Sequence, residues 1–190
     1  MYNVNKDNKY NDQKKDKKKL LARSDIPTPD TVCKFLYDIL SQHYSPNKIL
    51  DNSAGDGRLT KRFTDSEIIS YEIKNGKNFF DEDKEIDCDM VLFNPPFNSG
   101  NGSKLIGHQF LEHTFKLIKD KNIPIIMFAP MGFRLNQTKQ SPRWKQLRDE
   151  FPPITTIITL PLDIYDEVNF HSEIICFNTN KLLPHYFLNI

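Results

Sequence analysis

Short apolar runs that alternate with amphipathic segments limit the fold of this 190-residue chain more than any other feature. The runs have the length and residue types of buried strands, and they lie at 48–51, 68–72, 89–93, 125–129, 155–160 and 173–177. Helical spacing of apolar residues marks 32–40 and 104–119, and a further helix is predicted at 58–64. Strands separated by helices form a parallel sheet covered on both faces, so we predict a doubly wound α/β domain.

Two local features refine this prediction. The first helix is expected to have Thr28 as its N-cap and Pro29 at its first helical position, because both residue types favour those places. The last two strands, 155–160 and 173–177, have no helix between them. We therefore expect them to pair antiparallel.

The first twenty residues differ from the rest in composition. They contain seven lysines and three aspartates, whereas the whole chain has a net charge of only +1. Such a segment buries too little apolar surface to fold, so we predict a flexible Lys/Asn-rich tail over 1–20 and a single domain over 21–190. The tail is either a solvated terminus or an arm that follows phosphates. The near-zero net charge argues against a strongly basic nucleic-acid coat protein.

The three cysteines, Cys33, Cys88 and Cys176, are odd in number and widely spaced. They fit neither a disulfide framework nor a CxxC metal site, and they are typical of small buried side chains in a reducing, cytoplasmic compartment. The five histidines lack the spacing of metal ligands, so we expect no metal. No apolar run approaches the ~20 residues that a membrane-spanning helix needs.

The stretch LDNSAGDGRL follows the first predicted strand and is the first candidate for a ligand site. Asp51 ends the strand, and Gly55 and Gly57 would let the backbone approach a ligand closely. The stretch is not a dinucleotide fingerprint, because Thr60 stands where that motif needs its third glycine. An acid at the strand end suits a ligand with a cationic or hydroxyl-rich portion. The alternative is an ordinary tight turn.

Glu72 is the second candidate, since it ends the predicted strand IISYE. It lies 21 positions after Asp51 in the chain. An acid about twenty residues beyond a glycine turn is well placed to bind ribose hydroxyls. The alternative is an ordinary exposed glutamate at a strand end.

The third candidate is Asn94-Pro95-Pro96-Phe97, which follows an apolar strand and precedes a Gly/Ser/Asn-rich stretch expected to form a mobile flap. Two prolines stiffen the backbone, so the Asn94 amide and the adjacent carbonyl face the same way. Both groups can accept hydrogen bonds from a planar amino group while Phe97 stacks on its ring. The alternative is a rigid turn with a core phenylalanine.

Together, LDNSAGDGRL, the YE pair and NPPF resemble S-adenosylmethionine-dependent methyltransferases in order and spacing. The resemblance is to enzymes that methylate amino groups of DNA, particularly adenine-N6 enzymes of the type I modification-subunit kind, and it covers about residues 21–180. It implies a Rossmann-like, mostly parallel seven-stranded sheet with an antiparallel last strand. It also implies S-adenosylmethionine as cofactor and nucleic acid, most simply DNA, as partner.

The resemblance implies roles for individual residues. The cofactor-binding set is Thr28, Asp51, Ser53, Ala54, Gly55, Gly57, Glu72, Asp81 and Asn94. Within it, Glu72 would bind the ribose, Asp81 or a neighbour would lie near the cofactor adenine, and Thr28 would approach the methionine carboxylate. The catalytic set is Asn94, Pro95, Pro96 and Phe97. Phe97 and Phe170 would form the two walls of the substrate pocket.

Two departures from the family pattern have consequences. Asn52 and Ser53 stand in a turn that usually reads D-P-x-x-G-x-G, and they either weaken cofactor binding or replace equivalent contacts. No second domain for target recognition is apparent, so either sequence specificity is low, a separate specificity subunit supplies it as a partner, or the substrate is not duplex DNA. The Lys tail and a basic patch of Arg143, Lys145 and Arg148 are candidate phosphate contacts, with Trp144 expected to be a packing anchor.

Other functions remain open at this point. The same amino-group clamp would fit cytosine N4, an RNA adenine or a glutamine amide of a protein. A degenerate methyltransferase fold could also serve as a binding module. A nicotinamide dehydrogenase would share the acids at the strand ends, but it needs the third glycine and has no use for NPPF.

Overall fold

The chain forms one mixed sheet of seven strands in this computed structural model, which describes residues 26–97, 105–165 and 169–188. The predicted tail over 1–20 and the predicted flap over 98–103 lie outside the described residues. The strands are β1 (Lys48–Asp51), β2 (Glu67–Ser70), β3 (Met90–Phe93), β4 (Ile125–Pro130), β5 (Ile154–Thr159), β6 (Ser172–Phe177) and β7 (His185–Phe187).

The order of strands across the sheet is β2-β1-β3-β4-β6-β5-β7. The first four of these are parallel, whereas β6 runs antiparallel to both of its neighbours, β4 and β5. The predicted antiparallel pairing of β5 and β6 is therefore confirmed. β7 was absent from the predicted runs, and it extends the sheet by pairing parallel to β5.

Helices cover both faces of the sheet. They are α1 (Asp30–Ser41), α2 (Ile106–Leu117) and two short helices, α3 (Gly132–Leu135) and α4 (Pro142–Lys145). Successive strand residues alternate between two cores: Ile49 and Leu92 pack with α1, and Leu50, Val91 and Phe93 pack with α2. The predicted doubly wound α/β domain is confirmed.

The helix predicted at 58–64 is wrong. Hydrogen-bonded turns fill the whole connection between β1 and β2, including a bond from Phe63 N to Thr60 O. Gly55 and Gly57 have positive φ angles of 57° and 77°, which exclude them from a right-handed helix. The residues that remain before β2 are too few to make a stable helix without a long amphipathic face.

Two element ends also differ from prediction. Pro29 occupies the N-cap position of α1, so the helix begins one residue later than expected and Thr28 makes no cap hydrogen bond. β2 ends at Ser70, so Glu72 lies two residues beyond the strand, where its side chain accepts from Lys74 N and caps the short 3₁₀ helix Ile73–Asn75. The side chains of Thr28 and Glu72 therefore lie outside the positions predicted for them, and both can make other contacts.

The helices within the described residues are all too short or too polar to cross a lipid bilayer.

Candidate functional site

The candidate site lies at the carboxyl ends of β1, β2 and β3. After β1 the chain adds β2 on one side, and it then crosses to place β3 on the other side of β1. Such a reversal of strand order opens a crevice outside the carboxyl ends of the two central strands. Asp51 ends β1 and Asn94 directly follows β3, so the topology brings two of the three predicted stretches to this crevice.

The turn after β1 is held against the segment that follows β2. Tyr71 N donates to Asp51 O at 2.9 Å, and Ala54 N donates to Tyr71 O at 2.9 Å. A bond of 2.7 Å from Gly57 N to Ala54 O closes the turn. A Cβ atom added at Gly55 or Gly57 would meet nothing within 4 Å. The glycines are therefore required by their positive φ angles, and the space beside their Cα atoms is open to a ligand.

Replacing Gly57 by alanine is expected to lower the free energy of unfolding by about 1–2 kcal/mol, because its φ of 77° places a Cβ close to its own carbonyl oxygen. Asparagine tolerates this region better, so Gly57→Asn should cost less than Gly57→Ala. Urea unfolding of the three proteins measures the order. An alanine variant as stable as wild type would contradict the prediction.

Asp51 is fully buried beneath the turn. Its Oδ1 accepts from Ser53 N at 3.3 Å, and its Oδ2 has no hydrogen-bond partner among the described residues. Burial raises the pKa of the Asp51 carboxyl to about 7, and the negative charge of Glu72 contributes in the same direction, against the lowering effect of the Ser53 N–H. Asp51 thus holds the turn through its hydrogen bond with Ser53 N. Its predicted contact with a cofactor stays a prediction.

Asn52 and Ser53, the two residues of the turn that depart from the family pattern, have different surroundings. Asn52 is buried, and its Nδ2 donates to Thr114 Oγ1 on α2 at 2.7 Å, while Thr114 in turn donates to Phe110 O. Asn52 therefore anchors the turn to α2, and its Oδ1 has no hydrogen-bond partner among the described residues. The hydroxyl of Ser53 is buried and has no partner among the described residues.

Glu72 joins the turn to the start of the next segment. One carboxylate oxygen accepts from Gly55 N at 2.8 Å and the other from Lys74 N at 2.9 Å. Two backbone donors therefore fix the orientation of the carboxylate, and each oxygen keeps a lone pair for a further donor. Ile73, which the sequence reasoning missed, follows directly and has 71% of its surface exposed. The sequence shows an isoleucine directly after the candidate acid, but its exposure is known only from the structure.

Asp81 lies in a 3₁₀ turn, Phe79–Asp81, that is fixed by the buried Phe79 ring. Its Oδ1 accepts from Asn78 Nδ2 at 3.0 Å, and the side chain is exposed. The structure shows no contact that joins Asp81 to Glu72 or to the glycine turn, so its place near the cofactor adenine stays a prediction.

Asn94 and Thr28 are joined by a side-chain hydrogen bond. Asn94 Nδ2 donates to Thr28 Oγ1 at 2.9 Å, although the two residues are 66 positions apart. Arg58, which follows the glycine turn, donates from Nη1 to Thr28 O at 3.2 Å. Thr28 therefore connects the segment before α1, the glycine turn and the Asn94 amide, and Asn94 Oδ1 accepts no hydrogen bond from the described residues.

Phe97 and Phe170, the predicted walls of the substrate pocket, are stacked directly on each other. Their ring centroids are 5.1 Å apart and the ring planes differ by 17°. A base inserted between two rings needs two van der Waals layers of ~3.5 Å each, which is roughly 7 Å. The structure thus brings the two residues together as predicted, with the space between them closed.

A buried ion pair near Phe170 was missed by the sequence reasoning. Arg134 on α3 binds Glu173 through two hydrogen bonds of 2.8 Å each, and Glu173 is buried in β6. A glutamate that directly precedes the apolar run IICF in a buried strand signals that a cationic partner must be close. The pair ties α3 to the strand that begins two residues after Phe170.

Neither a protein-family model nor a curated protein sequence matches this chain. Solved structures do match. The type I restriction-modification methyltransferase subunit from Streptococcus thermophilus aligns with a TM-score of 0.64 and 20% identity, covering 86% of this chain and 47% of that one. The type I restriction enzyme EcoKI M protein aligns with a TM-score of 0.56 and 14% identity, over 80% and 43%.

A protein from Listeria monocytogenes, assigned to the class I S-adenosylmethionine-dependent methyltransferases, aligns with a TM-score of 0.60 and 13% identity. That alignment covers 85% of this chain and 65% of the other. The chain spans about half the length of the modification subunits that it matches. In its strand order, antiparallel β6 and covered faces, the chain has the Rossmann-like fold of S-adenosylmethionine-dependent methyltransferases.

Proposed function

We propose that this protein transfers a methyl group from S-adenosylmethionine to an exocyclic amino nitrogen, and that the target is adenine N6 in DNA. The observation that carries the proposal is the position of Asn94. It follows β3 at the same sheet edge as the glycine turn, and its amide is held by Thr28 so that one acceptor oxygen stays free.

The residues at the crevice fit the proposed cofactor. The open space beside Gly55 and Gly57 admits a ligand close to the backbone, and the Glu72 carboxylate is oriented to accept from ribose hydroxyls. Ile73 offers an apolar surface for a purine ring beside it. The Thr28 hydroxyl accepts from Asn94, so its own proton is available for the methionine carboxylate. The bound cofactor would supply a methyl group already activated on a sulfonium sulfur.

The protein must then align and polarise the amino group. An exocyclic adenine amine is a weak nucleophile because its lone pair is delocalised into the ring. Asn94 Oδ1 and the Pro95 carbonyl would accept hydrogen bonds from its two N–H groups, which favours a pyramidal nitrogen and stabilises the positive charge that develops on it. As the N–CH₃ bond forms, the S–CH₃ bond breaks to leave S-adenosylhomocysteine, and the methylated nitrogen loses one proton to solvent. Pro95 is buried and Pro96 follows it, so this carbonyl is held in one orientation.

The target base would enter between Phe97 and Phe170. In a duplex the base must first leave its stack, which costs a few kcal/mol. The rings must also separate from their present 5.1 Å. Stacking of the base on Phe97 would offset part of both costs.

Thr28→Val is expected to lower the rate of methyl transfer about tenfold, whereas Thr28→Ser should stay within about twofold of wild type. Valine removes the hydroxyl that orients the Asn94 amide, and serine retains it. Single-turnover rates at saturating cofactor measure this effect apart from any loss of cofactor affinity. Equal rates for the valine and serine variants would contradict the assigned role.

The proposal is tested by incubating the protein with methyl-labelled S-adenosylmethionine and separate samples of duplex DNA, single-stranded DNA, RNA and a protein extract. Digestion then identifies the labelled nucleoside or amino acid. Labelled N6-methyladenine in DNA is the expected product. Label in RNA or in a glutamine side chain would reassign the substrate, and no transfer together with no cofactor binding would indicate a binding module.

We also propose that residues 21–190 form the catalytic domain and that a separate specificity subunit selects the DNA sequence. Every described element belongs to the one sheet or to the segments that cover and connect its strands. Addition of that subunit should increase methyl transfer to its target sequence and leave cofactor affinity unchanged.

A further inference from the structure

Residues 131–148, here called the basic segment, carry an unusual concentration of positive charge. The segment contains five lysines and arginines and no acidic residue, although the whole chain has a net charge of +1. It begins directly after β4 and includes α3 and α4. The predicted patch of Arg143, Lys145 and Arg148 forms its second half.

The basic segment starts beside the candidate site. β4 lies next to β3 in parallel register, so its carboxyl end is at the same sheet edge as Asn94. Met131 N donates to His171 O at 3.1 Å, and His171 directly follows Phe170. The first residue of the segment is therefore close to one of the two stacked rings.

Three of the five cations are already engaged within the protein. Arg134 binds Glu173, Arg148 binds the adjacent Asp149, and the Arg143 guanidinium lies 5.2 Å from the centroid of the Phe133 ring. Lys139 and Lys145 are exposed, and neither has an ion-pair partner among the described residues. The free positive charge of the segment therefore resides on these two lysines.

Exposed apolar side chains lie among these charges. Met131, Leu135 and Trp144 are 42%, 59% and 39% exposed. Trp144, predicted to be a packing anchor, thus leaves over a third of its surface open to solvent. It stands between Arg143 and Lys145 on α4, so an aromatic surface adjoins positive charge on a face open to solvent.

We propose that the basic segment binds the phosphate backbone of the nucleic acid strand that carries the target base. Lys139 and Lys145 would contact phosphates, and Trp144 would stack on an unpaired base. Charge complementarity supports this partner, because the two exposed lysines without an ion-pair partner among the described residues would attract the regular negative array of phosphates. The identity of the strand rests on the proposed function, whereas the binding itself does not require methyl transfer.

The test measures binding of a short fluorescent oligonucleotide, as single strand and as duplex, to the full chain over a range of NaCl concentrations. Lys139→Gln with Lys145→Gln is expected to weaken binding about tenfold at low salt. Loss of two phosphate contacts should also reduce the slope of log Kd against log salt by about 1.4 for the single strand and about 1.8 for the duplex. Trp144→Ala should weaken single-strand binding about tenfold without changing the slope.

A matched control removes the same charge from the opposite end of the sheet. Lys48→Gln with Lys119→Gln changes a half-buried and an exposed lysine that pair loosely with Glu67 and Asp87, and it should leave binding within about twofold. A wild-type chain that binds neither oligonucleotide, an unchanged slope in the Lys139/Lys145 variant, or an equal loss in the control would overturn the proposal. Salt-dependent binding lost only in the Lys139/Lys145 variant supports it, even if methyl transfer is never detected.

Discussion

Asn94→Ala is expected to lower the rate of methyl transfer by at least about 100-fold at saturating cofactor, a condition that removes any loss of cofactor affinity from the measured rate. The variant removes the side-chain oxygen that would accept from the target amine, and that contact strengthens as positive charge develops on the nitrogen. The Pro95 carbonyl remains, so some activity should persist. Because Asn94 is half-buried and its amide makes one described hydrogen bond, to Thr28, the fold should survive the change.

Single-turnover transfer at saturating cofactor and DNA measures this rate directly, with cofactor affinity measured by calorimetry on the same preparations. Asn122→Ala is the matched control, since its exposed side chain lies at the other end of the sheet and, among the described residues, binds the nearby Asp120 alone. It should transfer methyl groups like wild type. A rate for Asn94→Ala within about threefold of wild type would show that the clamp has been assigned to the wrong residue.

The free energy of unfolding of Asp51→Asn, compared with that of wild type at the same pH, is expected to increase as the pH rises from 4 to 8. The pKa of Asp51 is about 7 in the folded chain and 3.8 in its ordinary state. The folded state therefore holds a proton that the unfolded state releases across this interval, and wild-type stability falls as the pH rises. Asparagine does not ionise. The difference in unfolding free energy should grow by roughly 3–4 kcal/mol in favour of the variant.

Urea unfolding at a series of pH values measures this difference. Asp56→Asn is the control within the same turn, because hydrogen bonds from Arg58 lower the pKa of the Asp56 carboxyl. The free energy of unfolding of Asp56→Asn, relative to wild type, should not increase as the pH rises. A constant difference between Asp51→Asn and wild type from pH 4 to 8 would mean that Asp51 is ionised throughout and finds a partner that the structure does not show.

The central strands were predictable because burial on both faces makes them continuous apolar runs. β7 was not, since it has only three residues, and His185 and Phe187 are exposed. The helix predicted at 58–64 failed for a different reason. Leu59 and Phe63 are both buried four positions apart, a spacing that fits a helix and consecutive turns equally well.

The candidate site was predictable to the extent that it depends on topology. Residues that follow parallel strands meet at one edge, so Asp51 and Asn94 could be placed there from the sequence. Contacts between distant side chains could not be derived in this way. The bond from Asn94 to Thr28 and the stack of Phe97 on Phe170 depend on rotamers and on packing between segments that share no sequence pattern.

Titration with S-adenosylhomocysteine tests the central claim, that the crevice at the ends of β1, β2 and β3 holds the cofactor. We predict saturable binding at one site per chain and an affinity at least about tenfold lower for Glu72→Ala, because this change removes the carboxylate that would bind the ribose and that holds Gly55 N. Glu67→Ala, at the opposite end of β2, should bind like wild type. No binding by wild type, or equal affinities for the two variants, would contradict the account.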